Sequence, residues 1–234
     1  MWALLSLYTL VIHPIDVTAG FYRPTANPTF FSLSNTNNPP STVANVYVAP
    51  PGFGYKPVTG KWQGNGASNA TTKVGVFRPG TGGWYLDSGN QVVDACGTDY
   101  CFFLASCLYQ PGDIPIAGDW DNDGIVSVGV YRPWTGTFYL SNVNPFNVRF
   151  NNTISTWDYI IQGGPPSFGY LPVVGDWTGM EGSKLGVFRP SSGGWYLDNG
   201  NLSFPGCSED QCPTVFGQAG DRPVAFGKSI VKAN

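Results

Sequence analysis

Apolar and polar residues alternate in short runs along most of this chain, and glycine, proline, serine and asparagine separate the runs. Residues 74–78 (VGVFR) and 83–87 (GWYLD) are typical, because they are rich in β-branched and aromatic side chains, which favour strands. The link between them supplies the proline and glycines of a tight hairpin turn. Outside residues 2–12, no window keeps an apolar period of 3.6 residues. The pattern therefore predicts an all-β protein.

The strand pair recurs along the chain. Its first half, the segment GVFRP or a close variant, stands at Gly20–Pro24, Gly75–Pro79, Gly129–Pro133 and Gly186–Pro190. The copies start about 55 residues apart, and a fixed period of this kind indicates a repeat architecture. A second motif of the form PVxGDW precedes three copies and leaves a remnant after the last, at Tyr55–Trp62, Asp113–Trp120, Tyr170–Trp177 and Asp221–Gly227.

Four short strands fit in each repeat, which suits the blade of a β-propeller. The first copy has no PVxGDW strand directly before it, whereas the remnant at the far end has no GVFRP strand after it. We therefore predict that Asp221–Val231 pairs beside Asp16–Arg23 and closes a ring of four short antiparallel sheets. The competing geometry is an open array whose ends pair with neighbouring molecules. Either way, residues 20–234 are expected to form one domain, preceded by an apolar N-terminal arm at residues 1–19.

Composition limits the function. Only 12% of the residues are charged and the net charge is −3, so no basic stripe is available to neutralise the phosphates of a nucleic acid. No segment reaches the ~18–20 apolar residues that a membrane-spanning helix needs. Nucleic-acid and membrane-spanning roles are therefore not expected.

Four of the five cysteines form a pattern. Cys96 and Cys101 follow Trp84 at the same offsets at which Cys207 and Cys212 follow Trp195. We predict two local disulfides, Cys96–Cys101 and Cys207–Cys212, in preference to a metal site, because zinc sites favour closer cysteine pairs and histidine. Disulfides imply an oxidising compartment and an extracellular or cell-surface protein. Cys107 is left over, either buried or paired between chains.

One repeat carries a metal-binding pattern. Residues 119–127 (DWDNDGIVS) place three carboxylates at alternate positions before a glycine, which wraps oxygen ligands around one point as calcium requires. The expected ligands of a single calcium ion are the side chains of Asp119, Asp121 and Asp123, the carbonyl of Ile125, and Ser127 or a water. A solvated acidic turn is the alternative interpretation.

The motifs PVxGDWDxDG and GV[FY]RPx[TS]Gx[WF]YL together resemble the FG-GAP/VCBS-type repeats of bacterial and integrin-like β-propellers. The resemblance covers roughly Gly20–Lys228 and is strongest at Gly112–Asn142. It implies a secreted or surface protein that binds calcium in its DxDxDG loops. It also implies adhesion or scaffolding more than any single enzymatic activity.

A search of the sequence for catalytic residues finds little. The only histidine, His13, lies outside the repeats, so a Ser-His-Asp or Cys-His arrangement is not expected. Recurring residues are interpreted as structural, and the recurring tryptophans as packing between repeats more than as a sugar platform. These residues are Arg78, Arg132, Arg189, Asp87, Asp198, Trp62, Trp120 and Trp177. A pair of glycosidase carboxylates remains an alternative, and the protein is otherwise expected not to be an enzyme.

The N-terminal segment has two interpretations. Residues 1–19 resemble a signal peptide cleaved after Ala19, although no basic residue precedes the apolar run. If they are retained, they form an arm that adds a strand to an adjacent subunit through Leu5, Tyr8, Leu10 and Ile12. Such a head-to-tail contact propagates as a filament. Export also agrees with three glycosylation sequons, at Asn69, Asn151 and Asn201.

Two main functions follow from these observations. The first is a non-enzymatic structural subunit of an extracellular fibre that polymerises with itself. The second is a monomeric adhesion or carbohydrate-binding propeller with glycans as partners. A third, less favoured, is the accessory domain of a secreted hydrolase.

Overall fold

The computed structural model describes residues 9–10, 19–23, 29–34, 44–48, 53–62, 72–90, 92–94, 96–148, 152–178, 182–200, 202, 211–215, 218–219, 221 and 223. Across these ranges the chain forms short β-strands and one 3-10 helix, Pro166–Phe168. The all-β prediction is therefore confirmed. In the same ranges, no helix has the length and apolar character needed to cross a membrane.

The strands are numbered here in chain order. They are β1 (Thr9–Leu10), β2 (Ala19–Arg23), β3 (Thr29–Ser34), β4 (Ala44–Val48), β5 (Lys56–Gly60), β6 (Lys73–Arg78), β7 (Gly83–Leu86), β8 (Val92–Val93), β9 (Tyr100–Leu104), β10 (Ile114–Gly118), β11 (Ser127–Arg132), β12 (Thr137–Leu140), β13 (Asn152–Ile154), β14 (Tyr159–Gln162), β15 (Leu171–Gly175), β16 (Lys184–Arg189), β17 (Gly194–Leu197) and β18 (Gln211–Val215).

Each sequence repeat supplies most strands of one small sheet, and these strands are antiparallel to their neighbours. The strand orders are β1-β2-β3-β4-β8 in the first sheet, β13-β9-β7-β6-β5 in the second, β10-β11-β12-β14 in the third and β15-β16-β17-β18 in the fourth. The register of the first two strands is the same in the last three sheets, where Val58, Ile116 and Val173 lie opposite Gly75, Gly129 and Gly186. The prediction of about four strands in each repeat is confirmed.

The turn between the second and third strands of a sheet also repeats. Gly82, Gly136 and Gly193 each adopt a φ between 65° and 67°, a left-handed conformation that only glycine adopts readily. In the third and fourth sheets, the amide of this glycine donates to the carbonyl of Arg132 at 2.8 Å and of Arg189 at 2.9 Å. The turns predicted from proline and glycine are therefore present.

The sheets pack face to face in chain order. One hydrophobic cluster joins the first and second sheets through Phe31, Val46, Val74 and Val76, among others. A second cluster joins the second and third sheets, and a third joins the third and fourth. The first strands are also neighbours, since β5 contacts β1 and β10, and β10 contacts β15. Among the described residues, the core therefore consists of three layers, each shared by two consecutive repeats.

Two glycines allow this close approach of one sheet to the next. A Cβ placed on Gly60 would lie 2.5 Å from a methyl carbon of Val126 in the following repeat. A Cβ placed on Gly118 would lie 2.8 Å from the Cβ of Ser183. Real Cβ atoms do not come this close to their neighbours. An added Cβ at either glycine would also lie 2.5 Å from the ring of the tryptophan two residues later, so both the tryptophan and the next sheet require glycine here.

Two short strands cross from one repeat to the sheet before it. Strand β8 lies between β7 and β9 in the chain, yet it pairs in parallel with β4, the outer strand of the first sheet. Strand β13 lies between β12 and β14 and pairs in parallel with β9, the outer strand of the second sheet. Each covers a sheet edge that would otherwise expose unpaired backbone groups.

Part of the N-terminal arm pairs within the chain. Thr9 and Leu10 pair with Phe21 and Gly20, and docking of the arm on an adjacent subunit stays a prediction. They occupy the edge of β2 where the closing C-terminal strand was expected. A strand so close in sequence closes a much shorter loop, which costs less chain entropy than a remote one. Leu5, Tyr8 and Ile12, and residues 224–231 of the expected closing strand, lie outside the described residues, so ring closure stays a prediction.

Candidate functional site

Equivalent ends of consecutive sheets lie side by side. Near the start of β5, the ammonium of Lys56 donates to the carbonyls of Gly112 and Asp113, which precede β10. At the other end, the amide of Val126 donates to the carbonyl of Lys61 at 3.4 Å. The amide of Ser183 donates in the same way to the carbonyl of Asp119 at 2.7 Å. We call the first end the arginine end, because it carries Arg78, Arg132 and Arg189, and the second the acidic-loop end.

In the third sheet, the arginine end holds a buried ion pair. The guanidinium of Arg132 donates through Nε and Nη2 to the two carboxylate oxygens of Asp113, each at 2.9 Å. The side chain of Asp113 is fully buried and that of Arg132 is 8% exposed. Arg132 also donates to the carbonyl of Leu108 at 3.2 Å. The hydrogen bonds that Arg132 donates to Asp113 hold the pKa of Arg132 above its usual value.

In the second and fourth sheets, the equivalent arginine contacts a phenylalanine ring and has no carboxylate partner among the described residues. The guanidinium of Arg78 lies 3.8 Å from the ring centroid of Phe53, and that of Arg189 lies 4.0 Å from that of Phe168. The residue at the place of Asp113 is Tyr55 in the second sheet and Tyr170 in the fourth. Each tyrosine packs edge-on against its phenylalanine, at 6.0 and 5.9 Å between centroids. The same constellation of Phe, Tyr and Arg therefore occurs twice.

The third sheet supplies its exposed aromatic ring from a different segment. Trp134 lies in the turn after β11, and its ring is 5.6 Å from the guanidinium of Arg132. It covers the turn at Gly112, where an added Cβ would lie 2.9 Å from the indole ring. Phe53, Trp134 and Phe168 are 42%, 44% and 38% exposed. Three consecutive sheets thus present one arginine and one exposed aromatic ring at the same end.

The acidic-loop end brings together the three predicted carboxylates. Oxygen atoms of Asp119, Asp121 and Asp123 all lie within 4.8 Å of one another. The donor set consists of oxygen alone, which fits a hard cation such as calcium. Burial raises the pKa of Asp119, and the charge of Asp123 raises it further, although backbone amides oppose both effects. A bound cation would relieve this unfavourable burial of negative charge.

The loop is also held by its own backbone. The amides of Asp123 and Gly124 donate to the carboxylate of Asp119 at 3.1 and 2.9 Å, and the amide of Ile125 donates to Asp123 at 2.7 Å. Ser127, the fifth expected ligand, is buried at the start of β11, where it pairs with Gly118. The structure therefore brings the three predicted carboxylates together, whereas Ser127 lies within a strand.

One of the two predicted disulfides is confirmed. Cys96 and Cys101 are bonded, with their Cα atoms 4.9 Å apart, and they close the loop before β9. The amides of Ser88 and Asp94 anchor the same loop by donating to the two carboxylate oxygens of Asp99, at 2.9 and 2.8 Å. Cys107 is a free and exposed thiol, not a buried one. Cys207 and the side chain of Cys212 lie outside the described residues, as do Asn69, Asn151 and Asn201.

Most recurring residues that we interpreted as structural have structural roles. The carboxylate of Asp87 accepts the amide of Gly89 at 2.7 Å, and that of Asp198 accepts the amide of Gly200 at 3.0 Å. Trp62 and Trp120 are buried in the clusters shared by two sheets, which confirms the packing interpretation for both. The arginines are the exception, because Arg132 binds a carboxylate whereas Arg78 and Arg189 each contact a phenylalanine ring.

The partners of these arginines were not predicted from the sequence. Phe53 and Phe168 each begin an FGY triplet before the first strand, and Asp113 ends a PGD triplet at the same place. The sequence signal is a position just before the first strand at which the repeats differ, whereas the arginine at the end of the second strand is the same in all three. Compared with models of known protein families, with curated proteins and with solved structures, the chain matches none.

Proposed function

We propose that this chain is a non-catalytic extracellular protein, built as a propeller-like ring, that binds glycans through its arginine end. The ring is supported by the face-to-face packing of four sheets in chain order and by the adjacent first strands. Consecutive propeller blades have this relation to one another. The Cys96–Cys101 disulfide supports an oxidising compartment.

The observation that carries the glycan proposal is the repeated exposed aromatic ring. Phe53, Trp134 and Phe168 lie at one end of three consecutive sheets, each close to an arginine. Flat aromatic faces stack on the apolar faces of sugar rings, while guanidinium groups donate hydrogen bonds to sugar oxygens. A row of three exposed rings, of which those of Phe53 and Phe168 lie beside an arginine without a carboxylate partner among the described residues, suits an extended polymer with a repeating unit better than a single small molecule.

The Asp119 loop is proposed as a calcium site at the opposite end. Asp119 also bonds through its backbone to Ser183, both as the carbonyl acceptor and by its amide to the hydroxyl at 3.0 Å. A cation held by Asp119, Asp121 and Asp123 would therefore stabilise the contact between the third and fourth sheets. Its role in this proposal is structural and does not involve chemistry on a ligand.

Binding to an array of neutral and acidic polysaccharides tests the glycan proposal. We expect the triple variant F53A/W134A/F168A to lose most of the binding of the wild-type chain. The control is I160A, which removes an exposed apolar side chain from β14, the outer strand of the third sheet. Absence of binding by the folded wild-type chain, or equal binding by both variants, would reject the proposal.

A second candidate, a head-to-tail fibre subunit, is favoured by one observation. The amide of Gln218 donates to the carboxylate of Asp221 at 2.8 Å, as the amide of Gln110 does to Asp113. The amides of Asp221 and Asp113 donate back to the two glutamine carbonyls, each at 3.2 Å. The turn that starts the third sheet is thus repeated after the fourth. A further first strand following it would pair with β2 of another copy if it displaced β1 there.

Light scattering and electron microscopy of the intact chain over a wide range of concentrations separate the two candidates. A fibre subunit forms long particles, and D221A, which breaks the repeated turn, should shorten them. A monomer at every concentration would reject the fibre and leave the glycan-binding proposal unaffected.

A further inference from the structure

We propose that Arg78 and Arg189 form two equivalent sites for the carboxylate of an acidic glycan, a polymer of uronic acid residues. The inference rests on the proposed glycan-binding function and specifies its ligand. Arg132, although it occupies the same position in the third sheet, is excluded from this role because its guanidinium already holds a carboxylate.

The third sheet shows what this strand position binds when a carboxylate is present. Asp113 engages Arg132 through two parallel hydrogen bonds of 2.9 Å, the bidentate geometry that guanidinium and carboxylate groups favour. Arg78 and Arg189 end β6 and β16 as Arg132 ends β11, and the first two strands share one register in the three sheets. The backbone therefore places three guanidinium groups, which we call forks, at equivalent positions. One of them, that of Arg132, already binds a carboxylate of the same chain.

The other two forks are open in the described structure. The guanidinium of Arg78 donates no hydrogen bond to any described residue, and its close contact is the ring of Phe53. Arg189 donates one bond, from Nε to the hydroxyl of Ser191 at 3.2 Å, and stacks on Phe168. Arg132 forms the only side-chain ion pair within the described residues. Each open fork thus retains donors on both terminal nitrogens.

The neighbouring tyrosines cannot take the place of the missing carboxylate. Burial raises the pKa of Tyr55 and of Tyr170, a nearby tyrosine raises each further, and the adjacent arginine only partly opposes this. Both phenols therefore stay protonated and uncharged at neutral pH. The positive charge of Arg78 and of Arg189 remains available to a ligand from solution.

The exposed phenylalanine rings select the class of carboxylate. Each open fork lies against a ring that is about two fifths exposed, so a ligand can meet a flat apolar face and a charged fork together. A uronic acid residue offers a sugar face and a carboxylate on the same unit. The chain carries a net charge of −3, so its overall field does not attract polyanions. Binding must therefore depend on these local groups.

Isothermal titration with polygalacturonate and with its carboxyl-reduced counterpart tests the inference. We expect the wild-type chain to prefer the charged polymer, and R78Q and R189Q each to weaken its binding about tenfold or more, the loss typical of a charge-assisted hydrogen bond. R78K, which keeps the charge but not the fork, should restore only part of the affinity. K61Q removes the same charge at the acidic-loop end and should bind as the wild-type chain does.

A second pair of variants supplies each guanidinium with a carboxylate from the chain itself. Y55D and Y170D place a carboxylate where the third sheet has Asp113, so they should abolish the preference for polygalacturonate while leaving both arginines in place. Circular dichroism checks that these variants fold, and the glutamine variants decide the test if they do not.

Each outcome separates the inference from the function on which it rests. Equal binding of the charged and reduced polymers would overturn the carboxylate sites and leave glycan binding intact. Binding of polyglutamate but not of polygalacturonate would assign the forks to acidic peptides and overturn the inference. Binding of neither form of polygalacturonate by the folded wild-type chain would overturn the inference, and the polysaccharide array then decides whether the chain binds another glycan.

Discussion

The second and third sheets share a backbone plan but differ in the chemistry at both ends. Their first two strands have the same register and their hairpin turns the same left-handed glycine. At the arginine end, Arg132 of the third sheet forms a buried ion pair with Asp113, whereas Arg78 of the second contacts the ring of Phe53. At the acidic-loop end, three carboxylates replace the sequence KWQGN of the second repeat. The repeated residues thus define the framework, and the variable ones beside them distinguish the sheets.

The largest expected difference concerns the ion pair. D113A leaves Arg132 charged and buried without its partner, which costs about 3–5 kcal/mol of the free energy of unfolding. R78A removes only a partly exposed contact between a cation and a ring, which is worth about 0.5–1 kcal/mol. Urea denaturation of both variants measures the difference. Similar losses of unfolding free energy in the two variants would contradict a larger contribution from the buried ion pair.

Calcium should act on the third repeat and not on the second. At a calcium concentration 100 times its dissociation constant, binding adds about 2.7 kcal/mol to the free energy of unfolding. We expect D121A to abolish the binding heat in calorimetry and this gain in stability, whereas a substitution of Gln63 should change neither. A wild-type chain that binds no calcium, or a D121A variant that binds it unchanged, contradicts the proposed site.

The two inter-sheet tryptophans should differ by the value of one hydrogen bond. Trp62 donates from its indole nitrogen to the carbonyl of Asp87 at 3.1 Å, whereas the indole nitrogen of Trp120 has no acceptor in the described part of the chain. W62F should therefore destabilise the chain by about 1 kcal/mol more than W120F. Thermal unfolding of the two variants provides the measurement, and a larger loss for W120F would refute the explanation.

The smallest expected effect concerns Asp99. Burial raises its pKa, and the nearby charge of Asp87 raises it further, although hydrogen bonds from Ser88 and Asp94 oppose both. Because the folded chain binds this proton more tightly, the associated stability is present at low pH and lost as the pH rises through the raised pKa. D87S introduces the serine that the third sheet has at position 141, and should lower the pKa of Asp99. Carboxyl NMR titration measures both values, and a wild-type pKa below the usual one would contradict the assignment.

The strands, turns and one disulfide could be predicted because each depends on residues close together in the sequence. The partners of Arg78 and Arg132 could not, because they come from a segment before the preceding strand, which meets the arginine only after the strands pair. The pairing of Leu10 with Gly20 was missed because the arm carries no copy of the PVxGDW motif. Strands β8 and β13 were missed because two or three residues carry no measurable alternation.

Because of strands β8 and β13, the boundaries of the sequence repeats do not coincide with the boundaries of the sheets. Each sheet edge that they cover belongs to one repeat, and the residues that cover it belong to the next. A single repeat therefore cannot be excised as a self-contained module, since its removal would uncover one neighbour and leave a strand without its acceptor. Interlocking of this kind transmits cooperativity along the chain, so the first three sheets should melt as one unit and not one at a time.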